Sequence, residues 1–372
     1  MGRRRGAVGA LLGLLLLAAP AAAQEIRLPV LVPITGFVAL EGTSQKNGAL
    51  LAASQLGALK LTPDVVDTQS TPEAAVTAWQ RAVGDPPPLA VVGPILGTQM
   101  LALLPLAQQR GVPLLTISGT ARLGELGNPF FFRFFPSDAT VKVAHARYVV
   151  EQLHAKRPAI IYQSTAYGQS GHEQLVKTLN ELHTPPVLEE SVAVTVNDLS
   201  PALLRAKAVN ADVLVLHLHA PSTVLAVRQA RQLLPDLPIV AGSAMHQPAT
   251  AALLEPSELK GVCAETAASP ISATTPEMRA FLDAYRAAYG SEPDAYAATQ
   301  FDAVHMLGRI LAGKPASPAA VRERLAHDEY KGVVTTYRSD GKGNMAHEAE
   351  IVCYDGTSRV PKVVQRYSFA PK

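Results

Sequence analysis

The stretch Leu89–Ile117, LAVVGPILGTQMLALLPLAQQRGVPLLTI, contains a complete strand–helix–strand unit. Leu89-Ala90-Val91-Val92-Gly93 is a short apolar run of the kind a buried strand requires, and Val112 to Ile117 is a second. Between them Gln99 to Arg110 has the spacing of a helix, which Gly111 stops. Upstream the same alternation holds. Ile26 to Val32 and Thr62 to Asp67 read as strands, and Gln45 to Leu56 as a helix. Thr71-Pro72-Glu73 opens another helix with a cap residue, a first-turn proline and an acid at the positive end. A β-α-β-α series of this kind predicts a parallel sheet with helices on both faces.

The pattern breaks after Thr120 at the turn-rich link Gly124-Glu125-Leu126-Gly127-Asn128-Pro129. A second series then starts, with helices over 141–153, 169–182, 201–208 and 224–234. Strands are expected over 159–162, 187–194, 213–216 and 238–240. Two helices follow, 277–289 and 296–311, and then a tail of strand pairs over 331–369 around the turn Ser339–Asn344. The fold class is therefore α/β, in two lobes facing each other. Ligands of such sheets bind beyond the carboxyl ends of the parallel strands, so a site between lobes draws on loops from both. The expected division is residues 24–120 plus about 266–330 for the first lobe. Residues 121–265 plus 331–372 make the second.

The start of the chain reads as an export signal. Arg3, Arg4 and Arg5 precede an uncharged apolar run, Ala7 to Ala18, and Ala21-Ala22-Ala23 offers an A-x-A exit before Gln24. The run is shorter than the roughly 20 residues that span a bilayer. The mature chain is expected to begin near Gln24 and to be periplasmic. The sequence holds 33 Lys+Arg against 31 Asp+Glu, and losing the three arginines leaves 30 basic residues, close to neutral. No basic footprint for nucleic acid results. The two cysteines, Cys263 and Cys353, are either one disulfide, which an oxidising compartment permits, or two buried thiols.

Enzyme signatures are missing: no G-x-S-x-G elbow, no H-E-x-x-H helix and no G-x-x-x-x-G-K-[ST] loop. His172-Glu173 and His347-Glu348 lack a second histidine. His217 and His219 alternate along one strand and share a face, but no neighbouring carboxylate or cysteine completes a metal site, so neither metal nor cofactor is expected.

Several ordered motifs resemble the branched-chain amino-acid-binding proteins of the type I periplasmic binding fold. They are Pro33-Ile34-Thr35-Gly36; Asp67 and Pro72; Val92-Gly93-Pro94 with Thr98; Thr116-Ile117-Ser118-Gly119-Thr120; and Phe132-Arg133 with Asp138. Ala166-Tyr167-Gly168, Arg228-Gln229-Ala230-Arg231 with Gly242, and Gln300-Phe301-Asp302-Ala303-Val304 complete the series. The resemblance runs over nearly all of the mature chain. It implies a monomeric protein that binds a small amino acid, or a related carboxylate or amide, and delivers it to the permease and ATPase subunits of an ABC transporter. A ligand sensor on the same fold is the alternative. By the same resemblance Gly97, Thr98, Ser118 and Thr120 would hold the ligand's carboxylate head, Tyr167 would close over it, and Tyr296 would line the side-chain pocket. Main-chain N–H groups at a helix start suit an anion. Three positions depart from the family pattern. Ser243-Ala244-Met245 stands where the family places an ammonium-pairing acid, with Ala244 in its place. Glu41 replaces a frequent aromatic residue, and His219 a frequent tyrosine. Either Glu41 restores the charge or the ligand has no α-ammonium. Arg133 is expected to pair structurally at the crossover.

Overall fold

The computed structural model describes residues 25–369. The export-signal reading of residues 1–23 lies outside them. Among the described residues no helix is long and apolar enough to cross a membrane.

The first lobe opens with β1 (Ile26–Val32), α1 (Ala39–Gln55), β2 (Leu61–Asp67), α2 (Pro72–Ala82) and β3 (Val91–Val92). It continues through α3 (Gly97–Arg110), β4 (Leu114–Thr116), α4 (Arg122–Glu125) and β5 (Phe131–Arg133). The strands form a five-stranded parallel sheet in the order β2-β1-β3-β4-β5. Val30 and Val32 pack on one face of it and Leu31 on the other, as strand alternation requires. Thr71 caps α2 by accepting the Ala74 N–H at 3.2 Å. Gly111 ends α3 at φ 66°, a left-handed conformation that costs glycine little.

The second lobe runs through α5 (Asp138–Arg147), a π-helical turn (Tyr148–Gln152), β6 (Pro158–Gln163), α6 (Ala166–Glu181), β7 (Leu188–Val192) and α7 (Ser200–Ala208). Then come β8 (Val213–His217), α8 (Ala220–Leu233), β9 (Ile239–Ala241), α9 (Pro248–Ala251) and β10 (Val262–Thr266). The chain returns to the first lobe for α10 (Pro276–Tyr289), α11 (Ala295–Ala312) and α12 (Pro318–His327). The hairpin β11 (Tyr330–Lys331) with β12 (Thr336–Tyr337) follows, and the chain ends on β13 (Glu348–Cys353) and β14 (Lys362–Ser368). The second sheet has seven strands in the order β14-β13-β10-β9-β8-β6-β7, antiparallel only at β13 and β14.

Two borders differ from the sequence expectation. β5 pairs with β4, so the chain crosses after Arg133 and not at 121. Tyr337, Met345 and Ala346 pack into the first lobe's core with Phe134, so the return to the second lobe comes at β13, not at 331. Neither segment has a period that marks a sheet.

The C-terminal helices complete the first lobe by docking α11 along α1. Gly48 permits this approach: a Cβ there would sit 2.1 Å from Ala297 O. Gly48→Val is expected to destabilise the protein by about 1–3 kcal/mol through overpacking, read as a lowered urea midpoint with unchanged slope. Buried Gln45 ties this seam to the site. Its Nε2 donates to Gly93 O at 2.8 Å and to Gln300 Oε1 at 2.9 Å, and its Oε1 accepts the Ile95 N–H at 3.0 Å. Asp67 holds the loop after β1, accepting Ile34 and Gln69 N–H at 3.0 and 2.9 Å and the Thr35 hydroxyl at 2.6 Å.

Cys263 and Cys353 are joined, with S–S 2.03 Å, and face each other in register across β10 and β13.

Candidate functional site

Helices enter the space between the lobes by their first turns. α1, α3 and the loop after β4 come from one side, and α5, α6, α8 and the turn after β9 from the other. The cavity they enclose is lined by Val38, Glu41, Ile95, Leu96, Ile117, Gly119 and Phe135, with Tyr296 from α11. Asp138, Tyr167, His219, Ser243 and Ala244 complete it from the second lobe. One part of this wall is aliphatic and aromatic, and the rest carries two carboxylates, two phenols, an imidazole and a serine hydroxyl.

Of the residues singled out from sequence, Glu41, Tyr167, His219, Ala244 and Tyr296 line this cavity. Ser118 and Thr120 lie just beneath it, flanking Gly119, with hydroxyls that are buried and have no partner. Gly97 and Thr98 do not line it. Gly97 is packed under Thr120, so that a Cβ there would meet Thr120 Oγ1 at 2.1 Å, and Thr98 is half-buried at the side. The sequence names Asp138 as a marker of the crossing and Ser243 beside Ala244 without giving either a ligand role, and it does not single out Val38, Ile95, Leu96 or Phe135. Asp138 had a signal, since Ser137-Asp138 is a cap followed by a first-turn acid.

Arg133 is wholly buried and serves as a splint. Its Nη1 donates to the carbonyls of Ser118, Gly119 and Thr120 at 3.2, 3.0 and 2.7 Å, and its Nε donates to Asn344 Oδ1 at 3.0 Å. Burial lowers its pKa to about 10, still charged at neutral pH. Three carbonyls of the loop after β4 converge on this one guanidinium, which sets the loop's orientation.

Behind the second lobe's wall lies a buried ionic cluster. The Lys142 ammonium pairs with Glu265, whose Oε2 meets His145 Nδ1 at 3.1 Å and whose Oε1 accepts the Ser243 hydroxyl at 3.2 Å. Burial alone would raise Glu265, but Lys142 and His145 outweigh it and hold the carboxyl well below the ordinary range. Asp138 is different. Burial lifts it to about 6 against the pull of Lys142, and its Oδ2 has no partner.

Tyr167 sits against both histidines, with ring centroids 3.9 Å from His217 and 5.1 Å from His219. His217 Nε2 bonds to Tyr167 O at 3.0 Å, and His219 Nε2 bonds to Thr165 Oγ1 at 3.2 Å. Burial keeps both imidazoles neutral, His219 at about 3 and His217 well below its usual value. The Tyr167 hydroxyl is buried without a partner.

Polar contacts tie the lobes together around this space, among them the Asp138 N–H donating to Gly119 O at 2.7 Å. The Ala220 N–H donates to Glu41 Oε1 at 3.0 Å, and the Ala121 N–H to Ser170 Oγ at 2.7 Å. The Ala295 N–H donates to His246 Nε2 at 3.0 Å, and Gln247 Nε2 to Asp294 Oδ2 at 2.7 Å. A cavity between the lobes with unpartnered acceptors and hydroxyls at both walls suits capture of a small molecule with polar groups by bringing the two lobes together.

The model of the family described as periplasmic binding protein matches residues 25–357. A Leu/Ile/Val-binding protein of Rhizobium johnstonii is 28% identical over 234 residues, 61% of this chain and 64% of the relative, so the match spans less than two thirds of that protein. An amino acid binding protein of Pseudomonas aeruginosa is 26% identical over 334 residues, 87% of this chain and 88% of the relative. Among solved structures, a leucine binding protein of Thermotoga maritima superposes with a TM-score of 0.83 at 23% identity, over 92% of this chain and 99% of that one. A solute binding protein of R. palustris in complex with benzoate gives 0.85 at 15% identity, over 93% and 97%. These superpositions show the two-lobed fold, and with a family match over most of its length the chain belongs to the periplasmic binding protein family.

Proposed function

We propose that this chain is the extracytoplasmic solute-binding component of an ABC importer, that it takes an amino acid or a related small acid between its lobes, and that it hands the ligand to a membrane permease. The carrying observation is the cavity shared by both lobes, whose buried polar atoms at Glu41, Asp138 and Tyr167, and at Ser118 and Thr120 beneath it, lack partners. Buried polar groups without partners are costly, and a ligand that supplies them stabilises the lobe-to-lobe arrangement. Binding then shifts the population toward the closed form, because only that form makes contacts from both sides at once. No bond is made or broken in the ligand. The names of the relatives, which bind leucine, isoleucine and valine, support an amino acid, and the benzoate complex on the same fold supports a wider acid class.

On this reading Tyr167 closes over the ligand, His219 and Tyr296 shape the pocket, Ala244 leaves room beside Ser243, and Ser118 and Thr120 offer hydroxyls from below. A thermal-shift screen of the mature protein with amino acids, hydroxy acids, keto acids and aromatic acids tests it, since a ligand of the folded state raises apparent stability. Failure of every class to shift the midpoint would refute it. Tyr167→Ala with Thr120→Val is expected to weaken the best ligand by at least about tenfold, with the far-ultraviolet spectrum unchanged. Unaltered affinity by calorimetry would remove these residues from the site.

A further inference from the structure

Resting on the solute-binding reading, the distribution of charge around the cavity narrows the ligand's chemistry. The cations nearby are already matched. Arg133 is committed to three carbonyls and Asn344, and Lys142 stands between Glu265 and Asp138. The imidazoles of His217 and His219 are neutral. Glu41 has no cation. It leaves α1 of the first lobe and its Oε1 accepts the Ala220 N–H at the head of α8 in the second, while Oε2 is buried with no partner. The nearest charge acting on it is another acid, Asp294, held by Gln247 and by the Ala297 N–H. A buried carboxylate in this setting lacks the counter-ion that its environment should supply.

We propose that Glu41 is the specificity-determining residue of the site, its Oε2 pairing with a cationic group of the ligand, an ammonium. The charge comes from the first lobe, across the cavity from Asp138, the acid that lines it from the second. One side chain then both bridges the lobes and reads the ligand, so recognition and closure are coupled through it. Ligands that carry only a carboxylate meet an unmatched like charge there and are disfavoured.

The titration of this group gives an independent readout. Burial, aided by Asp294 and opposed by the Ala220 N–H, raises Glu41 to about 7. Below that value the empty site holds a proton. An ammonium ligand displaces it, so its affinity rises as pH increases from 5.5 to 7.5. For a ligand with a carboxylate alone the neutral acid is the compatible form, and affinity falls over the same interval.

Calorimetry with L-leucine, L-valine and L-phenylalanine beside their 2-hydroxy counterparts, on the wild-type protein and Glu41→Gln, tests the proposal. The glutamine keeps an acceptor for the Ala220 N–H and nearly the same volume. The wild type is expected to prefer an amino acid over its hydroxy acid by about 30-fold or more, and Glu41→Gln to reduce this to within about threefold while still binding the hydroxy acid. Retained hydroxy-acid binding and an unchanged melting midpoint show that the variant is folded. The pH dependence should weaken in the variant, leaving the part that Asp138, raised to about 6 on the facing wall, contributes in both proteins. A preference that survives Glu41→Gln, or a wild type that favours the hydroxy acids, overturns the assignment and leaves the solute-binding reading standing. No binding by either set, together with a null wider screen, overturns that reading itself.

Discussion

Replacing Lys142 with methionine is expected to lower the free energy of unfolding by about 3–5 kcal/mol, because Glu265 would then remain buried and ionised without its ammonium partner. Both side chains are fully buried, and the remaining partners, His145 and Ser243, supply hydrogen bonds but no full charge. Urea unfolding of the ligand-free protein measures this. The double variant Lys142→Met/Glu265→Gln should recover most of the loss, since neither group is then charged. If the double variant is as unstable as the single one, the cost is one of packing and not of charge. The pH dependence carries the same signature. Glu265 is depressed in the folded state, so its stabilising contribution is present above its ordinary value of 4.5 and is lost as pH falls through the folded value. Acid should therefore unfold the wild type more steeply than the double variant.

Reduction of the Cys263–Cys353 disulfide is expected to cost about 2–5 kcal/mol, since it closes a loop of 90 residues whose unfolded form gains freedom once the bond is cut. The bond joins β10, which leaves the second lobe, to β13, which re-enters it. The segment it encloses contains all of α10, α11 and α12. The oxidised protein and a Cys263→Ala/Cys353→Ala variant can be compared by urea midpoint. A difference under about 1 kcal/mol would mean that the reduced chain already holds these strands together when unfolded.

The elements that could be read in the sequence were those with a strong local cause. Val91, Val92 and Leu114–Thr116 are buried on both faces, and Thr71-Pro72 and Gly111 are end signals that act within a few residues. Several helix starts at the cleft read late: Gln45 for Ala39, Val141 for Asp138, Gln169 for Ala166 and Val224 for Ala220. The reason is physical. First turns at the cleft carry Gly, Ser, Thr, Asp and Glu, which blur an amphipathic period while supplying the polar groups of the site. For this reason Asp138 shows in the sequence as a crossing marker and not as a cavity residue, and Val38 not at all. The Lys142–Glu265 pair joins residues 123 positions apart and leaves no mark in any local window. Glu41, Tyr167, His219, Ala244 and Tyr296 came into view through family resemblance, whereas Gly97 and Thr98, chosen in the same way, stand aside because Thr120 fills the space above the first turn of α3.

The docking of α11 on α1 has a bearing on how the chain acquires its form as it emerges. The first lobe's strands lie in residues 26–133, yet the helix that covers α1 lies at 295–312. A chain leaving a ribosome or an export channel from its N-terminus presents that sheet long before its cover exists. The second lobe, by contrast, has most of its sheet and all of its flanking helices in one continuous run from 138 to 266. The lobe that comes first in sequence is therefore finished last. Until then the apolar seam around Ala49, Ala52 and Ala53 is open to solvent and to other chains. A protein built in this order depends on its last third to cover that seam and so to become protected from aggregation.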